Sequence, residues 1–104
     1  MPQINKRTSA KRDLVMHFVY LAENAGIDTA ERFLERADES FEFLAQMPLM
    51  GPLVELRRAD MPGIRKWRVI GFENFLIFYL PLKDGIDVVR MIHAAQDWIR
   101  ILDE

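Results

Sequence analysis

The side chains best suited to acid–base chemistry near neutral pH are the two histidines, His17 and His93. His93 stands where the last apolar strand pattern meets the last helical pattern, a common location for functional residues. It is therefore the candidate general acid or base, although a surface or capping histidine fits the same position. His17 directly precedes Phe18 on the first helical pattern, and we interpret it as a structural residue at the edge of the core.

Arg90 interrupts an otherwise apolar strand pattern. An arginine among apolar neighbours needs a carboxylate partner or an anionic ligand. Two interpretations follow: a structural ion pair, for instance with Asp97, or a site for an anion or a partner. On a regular strand Arg90 and His93 would point to opposite faces, so only a bulge or the following turn could bring them together.

A basic cluster lies in the second half of the chain. Five cations fall within twelve residues, namely Arg57, Arg58, Arg65, Lys66 and Arg68. The net charge is nevertheless −2, whereas proteins that grip a phosphate backbone usually carry a basic surplus. Any contact with nucleic acid must therefore rest on this cluster. The alternative interpretation is a solvated strand face.

Several enzyme classes are disfavoured by the motifs that the sequence lacks. It has no glycine-rich phosphate loop and no G-x-S-x-G motif, and neither histidine has a metal-ligand neighbour at helical spacing. Tyr79 lies in a strongly apolar strand, which favours a core residue over a catalytic phenol. We therefore expect no cofactor and no metal. The lack of cysteine fits a reducing cytoplasm, and the apolar stretches are too short to span a membrane.

Two amphipathic helices are predicted in the first half of the chain. After a short strand within residues 2–8, Ser9 is the candidate cap of the first helix, and Gly26 is its expected stop. Asp28 followed by Glu31 resembles a capping box for the second helix. The first apolar face comprises Ala10, Leu14, Phe18, Leu21 and Ala25, and the second comprises Ala30, Phe33, Leu34, Ala37, Phe41 and Leu44.

Pro48 should end the second helix, and the apolar pattern then becomes that of strands. The predicted strands are Leu53–Arg58, Lys66–Val69, Phe75–Leu80 and Ile86–Ile92. The third is apolar on both faces, as is typical of a central strand that is covered on both sides. Lys83, Asp84 and Gly85 predict a hairpin turn. A short amphipathic helix from Ala94 to Leu102 closes the chain.

Segregated helices and strands predict an α+β fold of one domain over residues 1–104. A helical hairpin should pack on one face of a twisted antiparallel sheet. The other face then needs a cover for its apolar residues. The C-terminal helix is expected to supply part of this cover, and a partner the rest.

Three segments resemble the ParE branch of the RelE/ParE toxins. Gly63–Val69 places a glycine and an arginine before a strand, Gly71–Tyr79 has an aromatic-Glu-Asn-aromatic turn into LIFY, and Asp84–Asp97 closes as Arg-x-x-His-x-x-x-Asp. In the first half, the residues at the family's spacings are Ala10, Asp13, Leu14, Tyr20, Gly26, Ala30, Phe33, Leu44, Pro48 and Gly51. The resemblance covers nearly the whole chain.

This resemblance implies a microbial-RNase-like core and a role in a type II toxin–antitoxin system of a bacterium or plasmid, including plasmid stabilisation. It implies a cognate antitoxin that lays a helix and an extended arm over the toxin, and it allows a heterotetramer of the two. ParE members are associated with poisoning DNA gyrase, whereas RelE members cleave mRNA on the ribosome.

The departures from RelE favour ParE-like action without catalysis. Ribosome-dependent nucleases of this family are strongly basic around a C-terminal tyrosine or histidine, whereas here the net charge is −2 and no tyrosine follows Tyr79. If the endonuclease alternative holds, the catalytic candidates are His93, Arg90 and Arg65. The candidates for partner binding are Arg65, Arg68, Arg90 and Trp98. A non-toxic antitoxin-binding module is the third alternative.

Overall fold

The computed structural model describes residues 1–58 and 60–103, so that Ala59 and Glu104, the last residue of the predicted domain, lie outside the described part. The elements in chain order are β1 (Gln3–Lys6), α1 (Thr8–Ala25), α2 (Ile27–Gln46), β2 (Arg65–Val69), β3 (Phe72–Leu82), β4 (Gly85–His93) and α3 (Trp98–Asp103). The predicted α+β fold is confirmed. Among the described residues, no helix is both long enough and apolar enough to cross a bilayer.

The four strands form one sheet in the order β1-β4-β3-β2. β2, β3 and β4 pair antiparallel as predicted, and a two-residue loop, Lys83–Asp84, joins the last two. β1 instead runs parallel to β4, which makes the sheet mixed. Parallel neighbours need a long crossover connection, and the helical hairpin together with β2 and β3 supplies it.

The helical hairpin packs on one face of the sheet. Phe75, Ile77 and Tyr79 of β3 join the core on this face, to which α2 contributes Ala30, Phe33, Ala37, Phe41 and Leu44. The prediction that this strand is central is confirmed, since β3 lies between β2 and β4. It is also covered on both faces as predicted, because its residues join a core on each side of the sheet. Leu34 is the exception in the predicted apolar stripe of α2, because its side chain is exposed.

The opposite face of the sheet is covered by the chain itself. Met61 and Ile64 of the segment before β2 and Leu102 of α3 are buried against Phe78 and Ile92. The strand predicted at Leu53–Arg58 is wrong, because this segment forms only a single bridge, from Leu53 to Arg65. The Asp103 carboxylate accepts the backbone N–H groups of Arg57 and Arg58, so these donors serve α3 rather than a neighbouring strand.

Three predicted helix starts are wrong. Gly26 is the single residue between α1 and α2 and serves both as the end of one and the cap of the other, so Asp28 lies inside α2 and makes no capping bond. Ser9 lies inside α1, where its hydroxyl donates to the backbone of β4. α3 begins at Trp98 rather than Ala94, because a turn after His93 occupies the intervening residues.

The close pairing of β1 with β4 depends on Gly85. This residue has a φ of 135°, and a Cβ atom there would overlap the backbone of Gln3. Gly85→Ala should therefore lower the free energy of unfolding by about 3 kcal/mol or more, from backbone strain and steric overlap together. Gly26→Ala is the matched control, since its φ is 97° but nothing lies within 4 Å of the added Cβ. Urea denaturation giving equal losses for both variants would contradict this role of Gly85.

Candidate functional site

β4 is longer than the strand that pairs with its outer edge. The β1–β4 ladder ends where Lys6 meets Val88, because the chain turns into α1 immediately afterwards. The Arg7 N–H makes one last bond, of 3.0 Å, to the Val88 carbonyl. The backbone groups of β4 beyond Val88 that point to this edge must find other partners, since unpaired buried backbone groups are costly.

Side chains of α1 replace the missing strand. The Ser9 hydroxyl donates to the Val89 carbonyl at 2.8 Å. The Asp13 carboxylate accepts the Met91 N–H at 2.8 Å, and His17 Nε2 lies 2.8 Å from the Met91 carbonyl, to which it donates. Ser9, Asp13 and His17 are spaced four residues apart, which places them on one face of the helix along the strand edge. We call these three residues the edge ladder.

Asp13 also holds Arg90. Its carboxylate accepts from Arg90 Nε at 2.7 Å and from Arg90 Nη2 at 3.1 Å, and the Asp13 side chain is only 6% exposed. The partner of Arg90 is thus Asp13, not Asp97. The β3–β4 register shifts between Phe78 and Tyr79, so Val89 is an extra residue in β4 beside Arg90. Both carboxylate oxygens of Asp13 accept hydrogen bonds. Asp13 thereby joins α1 to both the backbone and a side chain of β4.

His17 is buried between the edge ladder and an aromatic group. Its ring makes an edge contact with Phe75, with 4.9 Å between ring centres. Burial lowers the pKa of His17; the bond to the Met91 carbonyl and the charge of Asp13 oppose this effect, and His93 and Arg90 add to it. The imidazole is therefore neutral near pH 7. The structural role predicted for His17 agrees with this environment.

His93 stabilises the turn that follows β4. Its Nδ1 accepts the Ala95 N–H at 3.0 Å, and its backbone N–H donates to Gln96 Oε1 at 3.3 Å. The ring packs edge-on against Phe75. Because Nδ1 is an acceptor, the ring proton of the neutral form resides on Nε2. The half-buried His93 also lines a surface cavity of about 350 Å³ with Met16, His17, Tyr20, Ala95 and Gln96.

Arg65 and Tyr79 hold the loop that follows α2. Arg65 Nη1 donates to the carbonyls of Leu49 at 3.2 Å and Gly51 at 2.7 Å. The Tyr79 hydroxyl donates to the Pro48 carbonyl and accepts the Gly51 N–H. Burial raises the pKa of Tyr79, so the phenol is protonated. Tyr79 is fully buried, as expected of a core residue.

Three other cations of the basic cluster, Arg58, Lys66 and Arg68, point to separate partners. The Arg58 guanidinium pairs with Asp60. Lys66 Nζ lies 4.6 Å from the ring centre of Trp98, which itself packs on Phe78. The exposed Arg68 places its guanidinium 4.8 Å from the Trp67 ring centre. The cluster is therefore continuous in sequence but divided in space among ion pairs and aromatic rings.

The candidates for catalysis are likewise held apart. Along β3, Arg65 lies opposite Tyr79, Arg90 opposite Phe78 and His93 opposite Phe75. The positions opposite Arg90 and His93 are three residues apart, which corresponds to roughly 10 Å along a strand. Arg65 contacts the loop after α2, Arg90 contacts α1, and His93 contacts the turn before α3.

The ladder residues Ser9 and Asp13 were not identified as functional candidates from the sequence. A signal was present, however: polar residues recur every four positions beside the apolar face of α1. Such a polar stripe on a half-buried helix indicates a row of backbone or charged groups opposite it, which a neighbouring strand edge supplies here.

Comparisons with known proteins assign the family. The model of the ParE toxin family, described as the ParE toxin of the type II toxin–antitoxin system parDE, matches residues 4–98. The chain belongs to the ParE toxin family. The match includes every element from β1 to the start of α3 and therefore the whole edge ladder, so these contacts lie within the family domain of this ParE-type toxin.

A solved structure shares the fold of this ParE-type toxin. It is titled as the chromosomal ParDE TA system from P. aeruginosa and superposes with a TM-score of 0.66 at 19% identity, covering 89% of this chain and 96% of that one. A conserved hypothetical protein from Helicobacter pylori, 17% identical, covers 92% of this chain and 98% of its own, but its TM-score of 0.44 adds nothing to the assignment. Among curated proteins, no sequence matches.

The buried imidazole of this ParE-type toxin should make its stability depend on pH. Because the folded state lowers the pKa of His17, the unfolded chain binds a proton more readily. The free energy of unfolding should therefore decline as the pH falls below about 6.5, the ordinary histidine value. His17→Gln keeps a donor for the Met91 carbonyl without titrating and should flatten this decline in urea denaturation between pH 7.5 and 5.5. An unchanged pH profile in the variant would exclude His17 as its source.

Proposed function

We propose that this ParE-type toxin inhibits DNA gyrase by binding it, and that a cognate antitoxin neutralises the toxin. The observation that supports this proposal most is the ion pair between Arg90 and Asp13. Arg90 Nε and Nη2 both donate to the carboxylate of Asp13, which is only 4% exposed as a residue. The Asp13 carboxylate neutralises the charge of Arg90, so Arg90 should attract an RNA phosphate less than an unpaired arginine would, and leaving the pair would leave a buried carboxylate uncompensated.

Arg65 supports the same conclusion. Its Nη1 donates to two loop carbonyls, and its Nε is buried with no hydrogen-bond partner within residues 1–58 and 60–103. The guanidinium therefore serves to position the loop after α2. Arg65 and Arg90, the two arginines expected to serve a nuclease, thus already have partners within the chain, whereas a binding mechanism needs no cation at a scissile phosphate.

The loop after α2 is our proposed contact for the antitoxin. Met47, Leu49, Met50 and Leu53 are all exposed here, although each is large and apolar. Leucine and the flexible methionine suit the apolar anchors of an amphipathic segment. Arg65 fixes this loop from within, and Arg68 and Trp98, which lie outside the loop, are further candidates for partner binding. The antitoxin is thus proposed to cover this loop, since the chain already covers its own sheet.

One observation favours the ribosome-dependent endonuclease as a second candidate. His93 lines a cavity of about 350 Å³, and its Nδ1 is engaged as an acceptor, which leaves Nε2 for proton transfer. A nuclease would then depend on His93 without Arg90, which is paired with Asp13. The two candidates differ in whether the His93 ring is required.

Pulse labelling after induced expression distinguishes these functions. The gyrase proposal expects thymidine incorporation to fall early while amino-acid incorporation continues, and co-expressed antitoxin to restore the former. His93→Asn should remain fully toxic, because the shorter side chain still offers an oxygen to the Ala95 N–H but no base. His93→Ala, checked for folding by circular dichroism, serves as the second variant.

Other outcomes would overturn the proposal. An early loss of protein synthesis, abolished in both folded His93 variants, would assign the endonuclease function. Normal incorporation of both labels, with antitoxin binding retained, would indicate a non-toxic binding module. Persistence of antitoxin binding after Leu49→Ser and Leu53→Ser would place the antitoxin elsewhere on the surface.

A further inference from the structure

The outer surface of α1 carries four large apolar side chains that the chain leaves uncovered. Val15 is 63% exposed, Met16 52%, Val19 46% and Tyr20 58%. Their spacing places them side by side over two helical turns, and we call them the apolar face of α1. A contiguous group of this size usually marks an interaction surface rather than ordinary solvent-exposed surface.

Charges of opposite sign flank the apolar face of α1. Lys11 and Arg12 precede it, and Glu23 follows it, and all three residues are exposed. The macrodipole of a helix favours acidic residues near the N-terminus and basic residues near the C-terminus. α1 has no acidic residue in its first turn and no basic residue in its last. This order of charges is unfavourable for the macrodipole of α1 itself. It places opposite charges side by side when a second copy of α1 packs antiparallel to the first.

We propose that this chain, when free of antitoxin, self-associates into a two-fold dimer through α1. In an antiparallel pair centred between positions 17 and 18, Met16 lies opposite Val19 of the partner subunit. Arg12 then lies opposite Glu23 of the partner subunit. The two-fold axis repeats each contact, as an isologous interface requires. The proposal rests on the surface of α1 and holds whether or not gyrase is the target.

The surface of α1 itself has room for the remaining aromatic side chain. An open groove of about 390 Å³, with mainly apolar walls, is lined by Thr8, Lys11, Arg12, Val15 and Met16. The same register places Tyr20 of the partner subunit against Val15 and hence over this groove. Tyrosine suits such a position, because its ring packs on apolar groups while its hydroxyl reaches solvent at the margin. The second copy therefore matches both the charges and the apolar character of the surface.

Charge reversal at the flanking positions tests the pairing directly. Sedimentation of the isolated chain over a concentration series should reveal dimers. Arg12→Glu alone places like charges opposite each other twice in the dimer, and so does Glu23→Arg, so each should weaken self-association about tenfold. An equimolar mixture of the two variants should restore it, because both contacts in the mixed dimer then join opposite charges.

Two further variants complete the experiment. Glu31→Arg changes the net charge as Glu23→Arg does but lies on α2, and it should leave the dimer intact. Val19→Lys places a cation at the centre of the apolar face and should abolish self-association.

A chain that stays monomeric at every concentration would overturn the proposal. So would a mixture that dimerises no better than the single variants, since another surface or register would then be responsible. Unchanged self-association of Val19→Lys, together with its failure to bind antitoxin, would assign the face to the antitoxin instead.

Discussion

The structure depends on how the outer edge of β4 is paired after β1 ends. β1 spans only Gln3–Lys6, whereas β4 continues to His93. The backbone of a helix cannot pair with a strand edge, because its hydrogen bonds are internal to the helix. Side chains of α1 must therefore bind the free backbone groups of β4. Asp13 is the central member of the edge ladder, since one buried carboxylate binds both the Met91 N–H and the Arg90 guanidinium. This contact fixes α1 against the edge of β4, where burial rather than the charge of Asp13 keeps His17 neutral.

The same constraint bears on function. Arg90 and Arg65 stand among the residues that would serve a nuclease, yet one is engaged by Asp13 and the other by loop carbonyls. The fold therefore uses both cations as structural donors. Two groups of large apolar side chains remain exposed, on α1 and on the loop after α2. Such surfaces suit protein partners, in agreement with the proposal that this toxin acts by binding.

Much of the fold could be predicted from the sequence, because its apolar periodicity records which faces are buried. The stripe of α2, the two-sided burial of β3 and the Lys83–Asp84 turn follow from local patterns. The parallel pairing of β1 could not be predicted, since four residues carry no signal of strand direction. The Leu53–Arg58 segment has strand-like residues, but the backbone N–H groups of Arg57 and Arg58 bind Asp103, some 45 residues away. Likewise, Arg90 pairs with an aspartate 77 residues distant, a choice that only tertiary structure fixes.

A double-mutant cycle between Asp13 and Arg90 tests this account most directly. The free energies of unfolding of the wild type, Asp13→Asn, Arg90→Gln and the double variant would be compared by urea denaturation. We expect a coupling energy of about 2 kcal/mol or more, because each single variant leaves a polar group buried without its partner. The exposed pair of Arg36 and Glu39 is the control and should give a coupling below about 1 kcal/mol. A coupling near zero for Asp13 and Arg90 would contradict the account, since Arg90 would then be free to bind an anion.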